Sequence, residues 1–262
     1  IIAPFHCILS RSETPVTREL IDKAPNLKVI ARAAVGIGNI DVNYATEKGI
    51  LVINTPGKNT NSTAELTIGL LLSTMRKIIP AHIHMTKLKW DRHNFTGTEL
   101  YGKKIGIIGL GNVGHRVARH AKAFDMEILA YDPYVADEVF ERHHSKKCTW
   151  DELISSADVI SLHVPKNSET TGMIGAKEFS RMKSGVVILN SARGGIIQEK
   201  PLLKELKSGK VAAAGIDTWE EEPPQENPFR DLPQVVMSPH VGASTTEAQI
   251  RIAESIATQT PR

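Results

Sequence analysis

The feature that most constrains this chain is the run Ile105-Gly-Ile-Ile-Gly109-Leu-Gly111-Asn-Val-Gly114. It joins an apolar, strand-like segment (Ile105–Ile108) to an amphipathic stretch from about Val113 to Phe124. Glycines at 109, 111 and 114 therefore fall where a strand must turn into a helix. Without Cβ atoms such a turn can be tight, and its backbone can approach a ligand closely. The following helix offers free N–H groups and the positive end of its dipole, which suits a pyrophosphate. A lone Gly-x-Gly-x-x-Gly is weak. A strand before it, a helix after it and an acidic residue roughly 20 positions on make it specific. Asp132 supplies that acid, directly after the strand-like run Ile128–Tyr131. Its carboxylate suits hydrogen bonds from adenosine ribose hydroxyls and would repel a 2′-phosphate, so the expected cofactor is NAD rather than NADP.

Apolar runs alternate with amphipathic stretches through most of the chain. Strands are expected at Cys7–Leu9, Leu27–Ile30, Ile50–Ile53, Ile105–Ile108, Ile128–Tyr131, Val159–Leu162, Val186–Leu189, Val211–Ile216 and Val235–Met237. Repeated strand–helix–strand order means a parallel α/β fold. The segments Asn54–Gly57 and Pro239–Ser244 read as crossovers. The expected architecture is two Rossmann-like parallel-sheet domains. A central nucleotide-binding domain, 56–243, is inserted in a discontinuous substrate-binding domain formed by 1–55 and 244–262. The chain starts at Ile1 rather than Met, so its N-terminal part is expected to be truncated. Capping boxes are expected at Ser62-x-x-Glu65, Thr149-x-x-Glu152 and Ser244-x-x-Glu247. The first opens a helix to about Ile79 that is apolar around much of its surface, as in a buried helix or a dimer interface; a homodimer or dimer-based oligomer is expected.

Composition mainly excludes. With 41% hydrophobic and 23% charged residues the chain is of ordinary globular type. A net charge of +3 and no long basic run argue against nucleic acid or a membrane surface as partner. Its longest apolar run, near Leu66–Leu72, is broken by Thr67 and Gly69 and is too short to span a bilayer. Cys7 and Cys148 do not resemble a disulfide or metal framework, so no metal is expected and a reducing, cytoplasmic location is.

Polar residues cluster after strand ends: His163-Val164-Pro165, Asn190 to Gly195, Asp217 and His240. In an open parallel sheet these ends share one edge, where ligands bind. Reduction of a 2-keto acid needs a cation for the carboxylate and ketone, an acid for the developing alkoxide, and a carboxylate to orient that acid. Arg193, His240 and Glu222 could fill these roles, with the nicotinamide supplying the hydride. The tryptophans at 90, 150 and 219 read as packing groups, and His82, His84, His93, His143 and His144 as surface residues.

The stretches Asn190-Ser-Ala-Arg-Gly-Gly195, Asp217-Thr-Trp-Glu-Glu-Glu222-Pro223 and Pro239-His-Val-Gly-Ala-Ser-Thr245 resemble the signature of the D-isomer-specific 2-hydroxyacid dehydrogenases. Val35-Gly36-Ile37-Gly38-Asn39-Ile40-Asp41 resembles the substrate loop of that family. The resemblance runs through essentially the whole chain. It implies that Arg193 binds and polarises the substrate, that His240 is the proton donor or acceptor, and that Glu222 pairs with His240. It implies cofactor contacts from Val35, Gly109, Gly111, Asn112, Val113, Gly114, Asp132, His163, Val164, Pro165, Ser191, Ala192, Asp217, Gly242 and Ala243, with Asp217 reaching the nicotinamide carboxamide. It implies substrate contacts from Val35, Gly36, Arg193 and His240. Ser10-Arg11-Ser12 and Arg32 resemble basic substrate contacts of members that take a phosphorylated 2-hydroxy acid, although an exposed arginine is ordinarily surface charge and both readings stay open. Unphosphorylated D-2-hydroxy acids are alternatives. So is an NAD-responsive corepressor scaffold of the same family. A formate-oxidising member would resemble the family with glutamine in place of Glu222.

Overall fold

The computed structural model describes residues 2–11 and 14–260. Ile1, Ser12, Glu13, Pro261 and Arg262 lie outside the described residues, and with them the Ser12 of the Ser10–Ser12 stretch. The chain divides into two compact units, 1–62 with 243–262, and 63–242. The first division comes seven residues after the crossover expected at 55/56, inside a helix.

The first unit begins β1 (Cys7–Ser10), α1 (Arg18–Asp22), β2 (Val29–Arg32), α2 (Val42–Glu47) and β3 (Leu51–Ile53). Its sheet is parallel with the order β1-β2-β3. Val16, Ile21, Leu27, Ile30, Ile40 and Ile50 form its core. Thr17 and Asp41 cap α1 and α2 through their side chains, satisfying helix N–H groups that have no partner within the helix.

Helix α3 (Thr60–Met75) opens the second unit's fold. It starts two residues before the expected cap: Ser62 lies inside it, and its hydroxyl meets that of Thr245 at 2.8 Å instead of closing a capping box. The helix also ends earlier than expected. Lys77 adopts a left-handed conformation (φ 52°), and a separate α4 (Ile78–Thr86) follows. Pro80 is tolerated in its first turn, where no intrahelical donor is lost. The apolar surface of α3 is explained within its own unit. Ile68, Leu70, Leu71 and Met75 pack with Ile105, Ile107, Val187 and Leu189.

The second unit continues β4 (Lys104–Ile108), α5 (Gly114–Lys122), β5 (Glu127–Tyr131), α6 (Asp137–Arg142), β6 (Lys146–Lys147), α7 (Trp150–Ser156), β7 (Val159–Leu162), α8 (Ala176–Arg181), β8 (Val186–Asn190), α9 (Glu199–Ser208), β9 (Val211–Ile216) and β10 (Val235–Met237). These seven strands form one parallel sheet in the order β10-β9-β8-β7-β4-β5-β6. The inner strands are buried on both faces, which is why they read as apolar runs; the edge strand β6 is exposed. In β8, Val186 and Ile188 enter one core, and Val187 and Leu189 enter the other. The register pairs Ile108 with Tyr131 on one side and with Leu162 on the other. Gly109, Asp132 and His163 therefore leave three adjacent strands at one level.

Thr149 and Glu152 form the expected capping box of α7, with bonds of 3.2 and 2.8 Å. The first unit closes with α10 (Thr246–Gln259). Thr245 caps it, accepting from the Ala248 N–H at 3.2 Å, rather than Ser244. The run Ser-Thr-Thr from 244 offers hydroxyls in consecutive registers, and the fold uses the second. Trp219 is buried and Trp150 packs edge-on against Tyr131, but Trp90 is 78% exposed and is not a packing group. Among the described residues no helix is long and apolar enough to cross a membrane.

Candidate functional site

The glycine turn follows β4 as the spacing predicts. Gly109 has φ +91°, and a Cβ there would lie 2.8 Å from the His163 carbonyl. At Gly114 a Cβ would fall 1.9 Å from the Gly109 carbonyl, so the helix starts against its own turn. Gly111 is different: a Cβ would meet nothing within 4 Å. Its lack of a side chain leaves open space beside the α5 N-terminus, where Asn112 and Val113 stand. Asp132 braces this turn. One carboxylate oxygen accepts the Leu110 N–H (2.8 Å) and the other the Tyr134 N–H (2.9 Å). Each oxygen keeps acceptor capacity for ribose hydroxyls.

After β7, the ring of His163 accepts or donates at Nε2 with Ser161 Oγ, 2.8 Å away, while its buried Nδ1 has no hydrogen-bond partner. Burial pushes its pKa down to about 3, so the imidazole is neutral. Val164 packs into the core beside the glycine turn, and the Pro165 carbonyl accepts from Thr170 Oγ1 at 2.6 Å. An open glycine, an available carboxylate and an orphaned buried ring nitrogen at one edge fit a dinucleotide.

The loop after β8 is held from within. The Asn190 side chain donates to the Arg193 carbonyl (3.0 Å) and accepts from the Ala192 N–H (3.1 Å). Ser191 Oγ meets Thr67 Oγ1 at 2.6 Å. Gly194 admits no side chain, because a Cβ would sit 1.5 Å from the Trp219 carbonyl. The loop is thereby pressed against the segment after β9. Arg193 is half-buried, and its Nη1 donates to the Ala192 carbonyl at 2.6 Å. Burial lowers its pKa from the usual arginine value, and the Glu222 charge opposes that shift. The guanidinium stays charged.

Asp217 is fully buried at the end of β9. It accepts from Ser238 Oγ (2.6 Å), the Val241 N–H (2.8 Å) and the Gly242 N–H (2.9 Å). These bonds fasten the loop on both sides of His240, a non-glycine residue at φ +53°. Such a conformation persists only where the surroundings enforce it. The Gly242 carbonyl is further held by Thr63 Oγ1 at 3.3 Å. His240 Nδ1 lies 2.7 Å from Glu222 Oε2, and Glu222 Oε1 accepts the Trp219 N–H at 3.0 Å. With Nδ1 committed to the carboxylate, Nε2 is available to a reacting oxygen. Burial would raise the Glu222 pKa. The bonds from His240 and Trp219 and the charges of His240 and Arg193 outweigh it, and hold this carboxyl below its usual value. Arg193, Glu222 and His240 thus form one group, His240 bonded to Glu222 and Arg193 coupled to Glu222 by charge; their proposed roles were read from the sequence. The part played by Thr67, Gly194 and Ser238 was not, because each acts through a contact distant in sequence.

In the first unit, Arg32 is 5% exposed and is not a surface arginine. It ends β2 in register with Ser10, and its Nε donates to the Gly36 carbonyl at 3.0 Å, folding the substrate-like loop back on its strand. The Val35 carbonyl accepts from the Asn54 side chain at 2.8 Å. Ser10 Oγ and Thr55 Oγ1 are buried without hydrogen-bond partners. Arg11 is exposed and donates to Gln249 Oε1 at 3.1 Å. The Ala243 carbonyl accepts from the Gln249 side chain at 3.1 Å. Of the surface histidines, His84 packs edge-on against Phe95, and the partly buried His143 stacks on His115 at 4.4 Å.

Residues 68–242 match the family model described as D-isomer specific 2-hydroxyacid dehydrogenase, NAD binding domain. The chain is 49% identical to D-3-phosphoglycerate dehydrogenase of Archaeoglobus fulgidus over 98% of its own length and 49% of that protein's. It spans about half the length of the curated relatives it matches. Among solved structures it resembles a glyoxylate reductase from Paecilomyes thermophila (TM-score 0.88, 35% identity, 97% of this chain and 79% of the other). It also resembles a D-lactate dehydrogenase from Aquifex aeolicus complexed with NAD and lactic acid (TM-score 0.89, 29% identity, 98% and 82%). The chain belongs to the D-isomer-specific 2-hydroxyacid dehydrogenase family, and its central unit is the NAD-binding domain of that family.

Proposed function

We propose that this chain exchanges a hydride between NAD and a D-2-hydroxy acid, and that the acid is 3-phospho-D-glycerate, interconverted with 3-phosphohydroxypyruvate. The Arg193–Glu222–His240 group carries the reading. In the direction of reduction, Arg193 holds the substrate carboxylate and draws electron density from the ketone. His240 Nε2 gives its proton to the oxygen that becomes the hydroxyl, and Glu222, bonded to Nδ1, keeps the ring aligned. NAD, held by the turn from Gly109 to Gly114 and by Asp132, supplies or accepts the hydride. The roles of substrate-binding unit for 1–62 with 243–262, and of cofactor contact for Val35, His163 to Pro165, Ser191, Ala192, Gly242 and Ala243, belong to the same proposal.

The choice of a phosphorylated acid is supported by the relatives' names and by Arg32. A buried arginine in strand register with Ser10, whose hydroxyl is buried without a hydrogen-bond partner, suits an anionic group. The likeness to a glyoxylate reductase favours one alternative, a small unphosphorylated keto acid. A cytoplasmic setting fits the two free cysteines. A second copy of the chain is the proposed protein partner, because Ile79, Ile83, Met85, Leu88 and Trp90 on and after α4 are exposed; light scattering should give a dimer's mass.

The test of substrate is NADH oxidation with 3-phosphohydroxypyruvate, hydroxypyruvate, glyoxylate and pyruvate in parallel. Preference for the phosphorylated acid, lost on Arg32→Gln, supports the proposal. Turnover of glyoxylate alone would keep the chemistry and discard the phosphorylated substrate.

A further inference from the structure

We infer that Tyr134 and Glu169 hold the adenosine half of the dinucleotide by closing a strap between the two loops that flank the glycine turn. The inference rests on the NAD reading of the central unit. In the sheet, β4 lies between β5 and β7, so the glycine turn is bordered by the loop after β5 on one side and the loop after β7 on the other. This edge is the switch point of the fold, since the chain leaves β4 toward β5 and later returns to β7. The Tyr134 hydroxyl, from the first loop, donates to Glu169 Oε2, from the second. The link therefore passes across the carboxyl end of the strand that carries the glycines.

Both ends of the link are braced. The Tyr134 N–H is held by Asp132 Oδ1 at 2.9 Å. The Glu169 N–H is held by Asn167 Oδ1 at 2.9 Å, in a turn tied back to the Pro165 carbonyl through Thr170 Oγ1 at 2.6 Å. Neither residue has a packing role: Tyr134 is 76% exposed and Glu169 is also exposed. An exposed pair of this kind adds little to fold stability, so its consequence is local. Asp132 joins the two functions. One oxygen grips the glycine turn through Leu110 and the other positions the strap through Tyr134. An adenosine whose ribose reached Asp132 would lie beside the strap and its tyrosine ring. It must pass the strap to leave.

The experiment is stopped-flow NADH release and equilibrium NADH binding on the 262-residue chain, with reduced nicotinamide mononucleotide as a probe that lacks the adenosine half. Tyr134→Phe and Glu169→Ala should each speed NADH release and raise its Kd roughly three- to tenfold, the range of one lost hydrogen bond. The double variant should be no weaker than either single one, because both remove the same bond. Glu169→Gln keeps an acceptor and should restore most of the affinity. Affinity for the mononucleotide should not move. Wild-type release rates in both single variants would overturn the strap. So would an equal loss of mononucleotide binding, which marks general loosening. A wild-type chain that binds no NADH would overturn the cofactor reading itself, before any variant is compared.

Discussion

Two stretches of the same sheet edge are built by opposite means. The turn from Gly109 to Gly114 is backbone, shaped by what is missing: two glycines permit close contacts, and a third leaves space. The loops carrying Arg193 and His240 are held in place by side chains: Asn190 binds two backbone groups of its own loop, and Asp217 binds three groups of the loop after β10. A cofactor common to many enzymes is met by backbone geometry that varies little in chemistry. On the proposed reading, a reaction at one carbon calls for a cation, an acid and its partner, whose positions must be fixed individually.

The sharpest way to break this contrast is at Gly194, where a loop of the chemical group itself depends on a missing side chain. Gly194→Ala would push a methyl group into the Trp219 carbonyl. It should cost about 4 kcal/mol of stability or more, seen as loss of the thermal transition or of soluble protein. His240→Ala should come next, lowering turnover by about a hundredfold or more in steady-state assays while the fold persists. Gly111→Ala tests the opposite claim, that open space there is reserved for the ligand. Its melting temperature should stay near wild type, with NADH affinity falling about tenfold, equivalent to about 1.4 kcal/mol.

A separate, pH-dependent effect concerns His163. Its folded pKa is pushed down to about 3 from the ordinary 6.5. As pH falls below 6.5 the unfolded chain takes up a proton that the folded chain refuses, so this residue makes stability decline progressively toward pH 3. His163→Gln should flatten the melting temperature against pH between 6.5 and 4, relative to wild type, when measured without cofactor.

Much of this edge was legible in the sequence because it depends on residue type at short spacing. The glycine turn, Asp132 and the apolar runs of the large sheet are of that kind. β6 was not, since Lys146 and Lys147 carry no apolar signal and pair only because β5 lies alongside. The break between α3 and α4 was hidden as well: Lys77 takes a left-handed conformation that glycine or asparagine would have announced. Arg32 read as an arginine of either kind until β2 buried it. Asp217 reads from the sequence as a cofactor contact, which stays part of the proposal; its hold on the His240 loop was not legible, because it spans more than 20 residues. Register along a loop and contacts between distant segments are set by packing, which spacing alone does not encode.

The most direct test of the division between a backbone cradle and a side-chain reaction group is to measure NADH binding and single-turnover reduction on the same preparation of His240→Ala. The account predicts NADH affinity within about twofold of wild type, and a single-turnover rate lower by about a hundredfold or more with whichever keto acid the wild type reduces fastest. Turnover near the wild-type rate would remove His240 from proton transfer. Loss of NADH binding in step with the rate would contradict the division itself.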